Sequence, residues 1–181
     1  AMAITFVIMP AAIMFPLLTT GHYAGGKWEI GVIEVVWGGG MLIGGAILST
    51  FKLKGSKVVA VNVMYVLLGL TFILSGALPA SWFVGFVLTT AIGGISLSVF
   101  NGCFTAIVQT EVSPDKLGRV FSLYYSLAVL PSVIGLLFTG LIAEVIGVNI
   151  SFIISGCLAI LVGILSFGTR NLMQLGKIKN V

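Results

Sequence analysis

Charge is what this sequence has least of. Of its 181 residues 8% are Asp, Glu, Lys or Arg, and 59% are hydrophobic. A water-soluble domain carries about a quarter charged residues, so this chain has too little polar surface to cover itself. It reads as a polytopic membrane protein. Nine cations against five acids leave a net charge of +4, but no basic stripe with interleaved aromatics is present, which excludes nucleic acid as a partner. One histidine, His22, and two cysteines, Cys103 and Cys157, make no metal-ligand set, so neither metal nor cofactor is expected. Both cysteines fall inside apolar runs, as small buried hydrophobes do. An intramembrane hydrolase needs a nucleophile with a base. Ser155-Gly156 is present, but the sole histidine stands in the opening break and no Asp pair lies within the apolar runs. The chain is not expected to be an enzyme. There is no basic n-region or cleavage-like site, so no signal peptide is expected. The uncharged start, Ala1-Met2-Ala3, reads as a chain cut near a helix end.

What the sequence does have is long apolar runs. They make six expected spans, at about 3–20, 29–51, 58–78, 82–109, 120–145 and 150–167, followed by a polar, basic tail at 169–181. Each run is near the roughly 20 residues a helix needs to cross the hydrocarbon core. The expected fold is all-α. Pro10 and Pro16 lie in the first span and Pro131 in the fifth. Each removes a backbone donor and bends a helix, readable as a static kink or as a hinge at a gate. His22 sits in the first break, Gly21–Trp28, where it reads as a solvated histidine or a pH sensor. Trp82 opens the fourth span at the depth an amphipathic ring favours.

The cations alternate. Numbering the breaks after each span, the second, fourth and sixth hold Lys52, Lys54, Lys57, Lys116, Arg119, Arg170, Lys177 and Lys179, whereas the first, third and fifth hold only Lys27. Eight against one is a positive-inside pattern. It places both termini in the cytoplasm, and it supports the span count, because a missed or false helix would scramble the alternation. Arg170, Lys177 and Lys179 are expected to meet anionic lipid.

Two spans carry unusual chemistry. The second, EIGVIEVVWGGGMLIGGAILSTF, holds a glycine cluster, Gly38, Gly39, Gly40, Gly44 and Gly45, in which Gly40 and Gly44 form a GxxxG pair. Such glycines let another backbone approach closely in a membrane. The same span holds Glu34, about 7 Å along the helix from Glu29. A carboxylate at that depth costs a few kcal/mol unless it is protonated, paired or hydrated. It is readable as a carrier of a coupling proton, as a contact for a cationic substrate, or as a structural acid near the external mouth. In the fourth span Thr90, Gly94, Ser98, Asn101, Thr105 and Gln109 recur at intervals of four or three, one stripe roughly a quarter-turn wide. Small residues alone suggest helix packing. Asn101 and Gln109 demand hydrogen-bond partners, so a cavity-lining face and a packing face both stand.

The segment Gln109 to Leu123, QTEVSPDKLGRVFSL, resembles the cytoplasmic link between helices 10 and 11 of major facilitator superfamily exporters. Pro131, Gly135, Gly140, Ala143-Glu144, Val148-Asn149, Phe152 and Ser155-Gly156 continue the likeness. Upstream, Pro16 to Thr20, Glu34 and Gly40 to Gly45 are similar to helices 7 and 8 of the macrolide-efflux-like branch of drug:proton antiporters. The break from Gly45 to Lys57 ends on Gly55-Ser56-Lys57 but lacks the family's aspartate-arginine core. The resemblance implies two six-helix halves around a central cavity, of which this chain would be the C-terminal one, helices 7–12. It implies that the first and fourth spans line the cavity, and that the second and fifth pack where the halves meet. Glu34, Thr90, Ser98, Asn101, Thr105 and Gln109 are then candidates for binding substrate or protons. Pro10, Pro16, Gly40, Gly44, Gly45, Arg119 and Pro131 are candidates for gating and packing. Glu111, Asp115, Lys116 and Arg119 read as a solvated, locally paired loop or as a gate salt bridge. The implied protein is a secondary exporter of hydrophobic drugs in the inner (plasma) membrane. Its partners are the lipid bilayer, the missing N-terminal half, a small hydrophobic substrate and, through the glycine face of the second span, another copy of the fragment. The alternative reading is a stand-alone six-helix half-transporter or channel working as a homodimer.

Overall fold

The computed structural model describes residues 14–50 and 57–168. Pro10, Lys52, Lys54, Arg170, Lys177 and Lys179, most of the first expected span and the basic tail lie outside the described residues. Among the described residues every regular element is a helix: α1 (Phe15–Gly21), α2 (Lys27–Thr50), α3 (Lys57–Ala77), α4 (Phe83–Glu111), a 3-10 turn (Pro114–Lys116), α5 (Leu117–Ile146) and α6 (Val148–Gly168). Four of these helices, α2, α3, α4 and the Val148–Ser166 part of α6, are long and apolar enough to cross a membrane. At 1.5 Å per residue the 21 residues of α3 extend about 31 Å, the thickness of a hydrocarbon core. The chain is an all-α membrane protein.

Local chemistry sets where these helices start and stop. At the head of α2 the Gly26 N–H donates to Glu29 Oε2 at 2.7 Å, so a first-turn carboxylate satisfies a helix-end donor and complements the dipole. α3 stops ahead of Pro79, which has no N–H to extend it. α5 and α6 are joined by Gly147 alone, at φ +92°, a region that side-chain-bearing residues avoid. Its N–H closes α5 on the Ala143 carbonyl at 3.0 Å.

In lipid, helices associate through close packing rather than through exclusion of water, and glycines provide the closeness here. α3 and α6 run antiparallel and cross at Gly69 and Gly156. A Cβ on Gly69 would stand 2.7 Å from the Gly156 carbonyl oxygen, and a Cβ on Gly156 would stand 2.5 Å from that of Gly69. Seven residues along, Gly76 abuts the Asn149 backbone and Gly163 abuts Val66. The two helices thus share one spacing, Asn62-Gly69-Gly76 and Asn149-Gly156-Gly163. α2 and α4 run parallel, with Gly40 against the Ala91 carbonyl and Gly44 against that of Ile95.

One ring ties these pairs together. Phe15 of α1 lies 5.0 Å from Trp37 of α2, 6.0 Å from Phe72 of α3, 6.0 Å from Phe86 of α4 and 5.4 Å from Phe152 of α6, centroid to centroid. The break after α1 is tied down as well. His22 Nε2 lies 2.8 Å from the Leu78 carbonyl oxygen, and the Tyr23 hydroxyl donates to the Ser75 carbonyl at 2.7 Å. Tyr23 also stacks on Phe86, centroids 4.6 Å apart. Ser75 is four residues before Pro79, whose missing N–H leaves that carbonyl without its helical donor; Tyr23 takes the vacancy. The solvated reading of His22 therefore gives way to a bonded, half-buried one. The clamp holds Ala24 at φ +51°, a strained conformation for a non-glycine residue. Through these contacts and those of Gly76 with Asn149, the first, third and fifth breaks share one end of the bundle, called outer below.

Candidate functional site

α2 has two faces. The packed face carries Ile33, Trp37, Gly40 and Gly44 and lies on α4 and the Phe15 cluster. Gly40 and Gly44 are buried there because the α4 backbone leaves room for nothing larger. The other face carries Gly31, Val35, Gly38, Leu42 and Gly45, all within a narrow arc at 100° per residue. A Cβ added to Gly31, Gly38 or Gly39 would meet nothing within 4 Å, and one on Gly45 only the Ser98 hydroxyl at 3.7 Å. Val35 and Leu42 are exposed. Glu34 is exposed too, about a quarter-turn from the packed face. The glycine cluster thus divides: Gly40 and Gly44 let the α4 backbone approach within the chain, and Gly38, Gly39 and Gly45 stay open.

The polar stripe of α4 divides by depth. At its outer end Thr90 is buried, and its hydroxyl donates to the Phe86 carbonyl at 2.8 Å. Gly94 lies against the backbone of Trp37 and Met41. Ser98 is half-buried, its Cβ 2.9 Å from where a Cβ on Gly44 would stand. Gly94 and Ser98 are brought together under α2, while Thr90 is held on its own helix. Farther in, Thr105 is half-buried while Asn101 and Gln109 are exposed. Glu34 is not brought to the stripe. Pro16 lies in the first turn of α1 and is half-buried, and its carbonyl accepts from the Thr20 hydroxyl at 3.0 Å. α5 runs through Pro131 without a break. Arg119 is exposed in the first turn of α5, next to exposed Asp115 and Lys116 on the 3-10 turn.

Other polar groups were not singled out by sequence. Beside the Tyr23 clamp, the hydroxyls of Ser75 and Thr89 lie 2.8 Å apart and join α3 to α4. Burial pushes the Tyr23 phenol, in the break outside the spans, up to about 12. On α3, Asn62 Nδ2 and the Tyr65 hydroxyl are buried without a hydrogen-bond partner, each at a cost of about 1–3 kcal/mol. A polar residue inside an apolar run was the available signal for both. Among the described residues no group of His, Cys, Asp and Glu could hold a metal ion.

The arrangement is that of a packed helical unit with one unpartnered, acid-bearing face, and known proteins share its sequence. Over 159 residues, 88% of this chain, it is 38% identical to macrolide efflux protein A of Streptococcus pyogenes. Over 131 residues, 72% of the chain, it is 37% identical to macrolide efflux protein A of Enterococcus faecalis. An uncharacterised MFS-type transporter of Bacillus subtilis, YfiS, is 36% identical over 81 residues, 45% of the chain and 19% of that protein. The chain spans about two fifths of the length of the macrolide efflux proteins, 39% and 41%. No protein-family model matches. By these relatives the chain is a macrolide-efflux-like sequence of the major facilitator superfamily.

Proposed function

We propose that this chain is the C-terminal six-helix half of a secondary exporter of hydrophobic drugs such as macrolides, working by alternating access coupled to protons. The observation that carries the reading is the two-faced α2. One face is closed on α4 by glycine-to-backbone contact, and the other offers Gly31 and Gly38 to a backbone that is not part of the described residues. The relatives are longer than this chain by more than the chain itself, which favours the rest of the same polypeptide as what covers that face. Glu34 would then lie beside the joint between halves, and Asn101, Thr105 and Gln109 on the α4 side of the cavity. An acid held at that depth is the group a proton can load and leave. The relatives are named as efflux proteins and as a transporter, which supports transport over catalysis. The cation pattern supports the inner membrane with both termini in the cytoplasm.

The test is an efflux assay of the full-length protein against a panel of hydrophobic drugs, with and without a proton gradient. Reduced accumulation of a macrolide that returns to the control level when the gradient is collapsed is the expected result. Equal accumulation in cells with and without the protein would refute the reading.

A further inference from the structure

Asn62 and Tyr65 stand one turn apart on α3, 2% and 3% exposed, and neither the Asn62 amide nitrogen nor the Tyr65 hydroxyl meets a hydrogen-bond partner. Neither belongs to the open face of α2. The Tyr65 ring lies edge-on to Phe100 of α4, centroids 5.0 Å apart, so Tyr65 sits at the seam between α3 and α4, in the half toward Lys57, whereas Asn62 shares the face of α3 that Gly69 and Gly76 turn to α6. The outer half of the same seam is closed by the buried Ser75–Thr89 contact at 2.8 Å. The Lys57 half is tied by a longer, exposed bond, Lys57 Nζ donating to the Thr110 hydroxyl at 3.3 Å. Both orphan atoms are left with essentially no water-accessible surface. A membrane interior offers them no substitute partner. At the α3–α4 seam, the unsatisfied Tyr65 hydroxyl weighs against the state that buries it and in favour of one that wets it.

We propose that the Lys57–Thr110 end of the α3–α4 seam opens to water in a second conformation, hinging on the Ser75–Thr89 end, and that Tyr65 is the group this water solvates. Water enters as a hydrogen-bond partner for the phenol. Apolar contacts at Phe100 close the seam again. The proposal rests on the membrane placement of the helices and not on what the protein transports.

The chain carries its own reporter. Thr89, Gly93, Ser96, Phe100 and Cys103 succeed one another at spacings of four and three on α4, one helix face, and Thr89 and Phe100 of that face touch α3. Cys103 is 1% exposed. The experiment uses the full-length protein in lipid nanodiscs, open to reagent on both sides, with every cysteine except Cys103 replaced. A charged methanethiosulfonate is the probe, and the same protein with Cys103→Ala and Thr110→Cys is the exposed reference. Cys103 is expected to label to completion, roughly 10- to 1,000-fold more slowly than the reference, as a minor open population dictates. Tyr65→Phe, a near-isosteric change that removes the reason to open, should slow that labelling by roughly tenfold, and a thermal melt reports that the variant is folded. No labelling of Cys103 while the reference labels fully overturns the proposal. So does labelling that the folded variant leaves unchanged or accelerates. Drug efflux plays no part in the readout, so failure here is distinct from failure of the exporter reading.

Discussion

Tyr23 shows what one side chain does at the outer end. Its phenol donates 2.7 Å to a carbonyl that Pro79 strips of its usual donor, and its ring stacks on Phe86. Tyr23→Phe keeps the ring and deletes the bond, leaving the Ser75 oxygen unpaired. The expected cost is about 1–3 kcal/mol, read as a lower melting temperature in detergent. The pH dependence has a definite sign. Burial raises the phenol from 10.0 to about 12, so the fold holds the neutral form more firmly than the unfolded chain does. That contribution is complete below pH 10 and is lost as pH climbs through 12. Wild-type stability should therefore fall between those values by more than that of Tyr23→Phe. Equal alkaline losses in the two proteins would refute the assignment. His22 belongs to the same clamp, since its Nε2 faces the Leu78 carbonyl and carries the proton in both the bonded neutral form and the cation.

At the scale of the element, glycine position decides what a methyl group does. Gly40 would place a Cβ 2.5 Å from the Ala91 carbonyl, whereas Gly38, two residues earlier, has nothing within 4 Å. Gly40→Ala should force α2 off α4 at a cost of about 1–3 kcal/mol. Gly38→Ala should be neutral or stabilise by up to about 1 kcal/mol, through helix propensity and a stiffer unfolded chain. Thermal shift of both variants in this chain by itself, where nothing lies within 4 Å of a Gly38 Cβ, checks the contrast, and equal shifts would contradict the two-faced helix. Much of this layer was legible in the letters. Apolar runs located α2 to α6, because in lipid a helix must satisfy its own backbone. The glycine cluster was legible as a packing feature, but not its division, because a GxxxG spacing says that something approaches and not from which side. The matched sevens, Asn62-Gly69-Gly76 and Asn149-Gly156-Gly163, were present in the sequence and went unread, since a period within one helix does not name the helix it meets. The stripe on α4 was legible as one face, but its division by depth depends on where α2 lies alongside. The Tyr23 and His22 bonds, some 50 residues long in sequence, leave no local pattern at all.

On the scale of the whole molecule, one ring from α1 reaches α2, α3, α4 and α6, and two glycine seams set the helix pairs. The open face of α2, with Glu34 beside it, takes no part in this packing among the described residues. In the exporter reading this face meets the other half of the polypeptide, and Glu34, exposed in this half, is proposed to serve transport and not the packing of this half. A change there should leave the fold alone. Glu34→Gln, an exposed and nearly isosteric substitution, should shift stability by no more than about 0.5 kcal/mol. The decisive measurement is macrolide efflux by the full-length protein carrying Glu34→Gln, followed as the external pH and the proton gradient are varied. The account predicts normal amounts of folded protein and loss of gradient-driven efflux. Efflux that keeps its wild-type dependence on pH would contradict it.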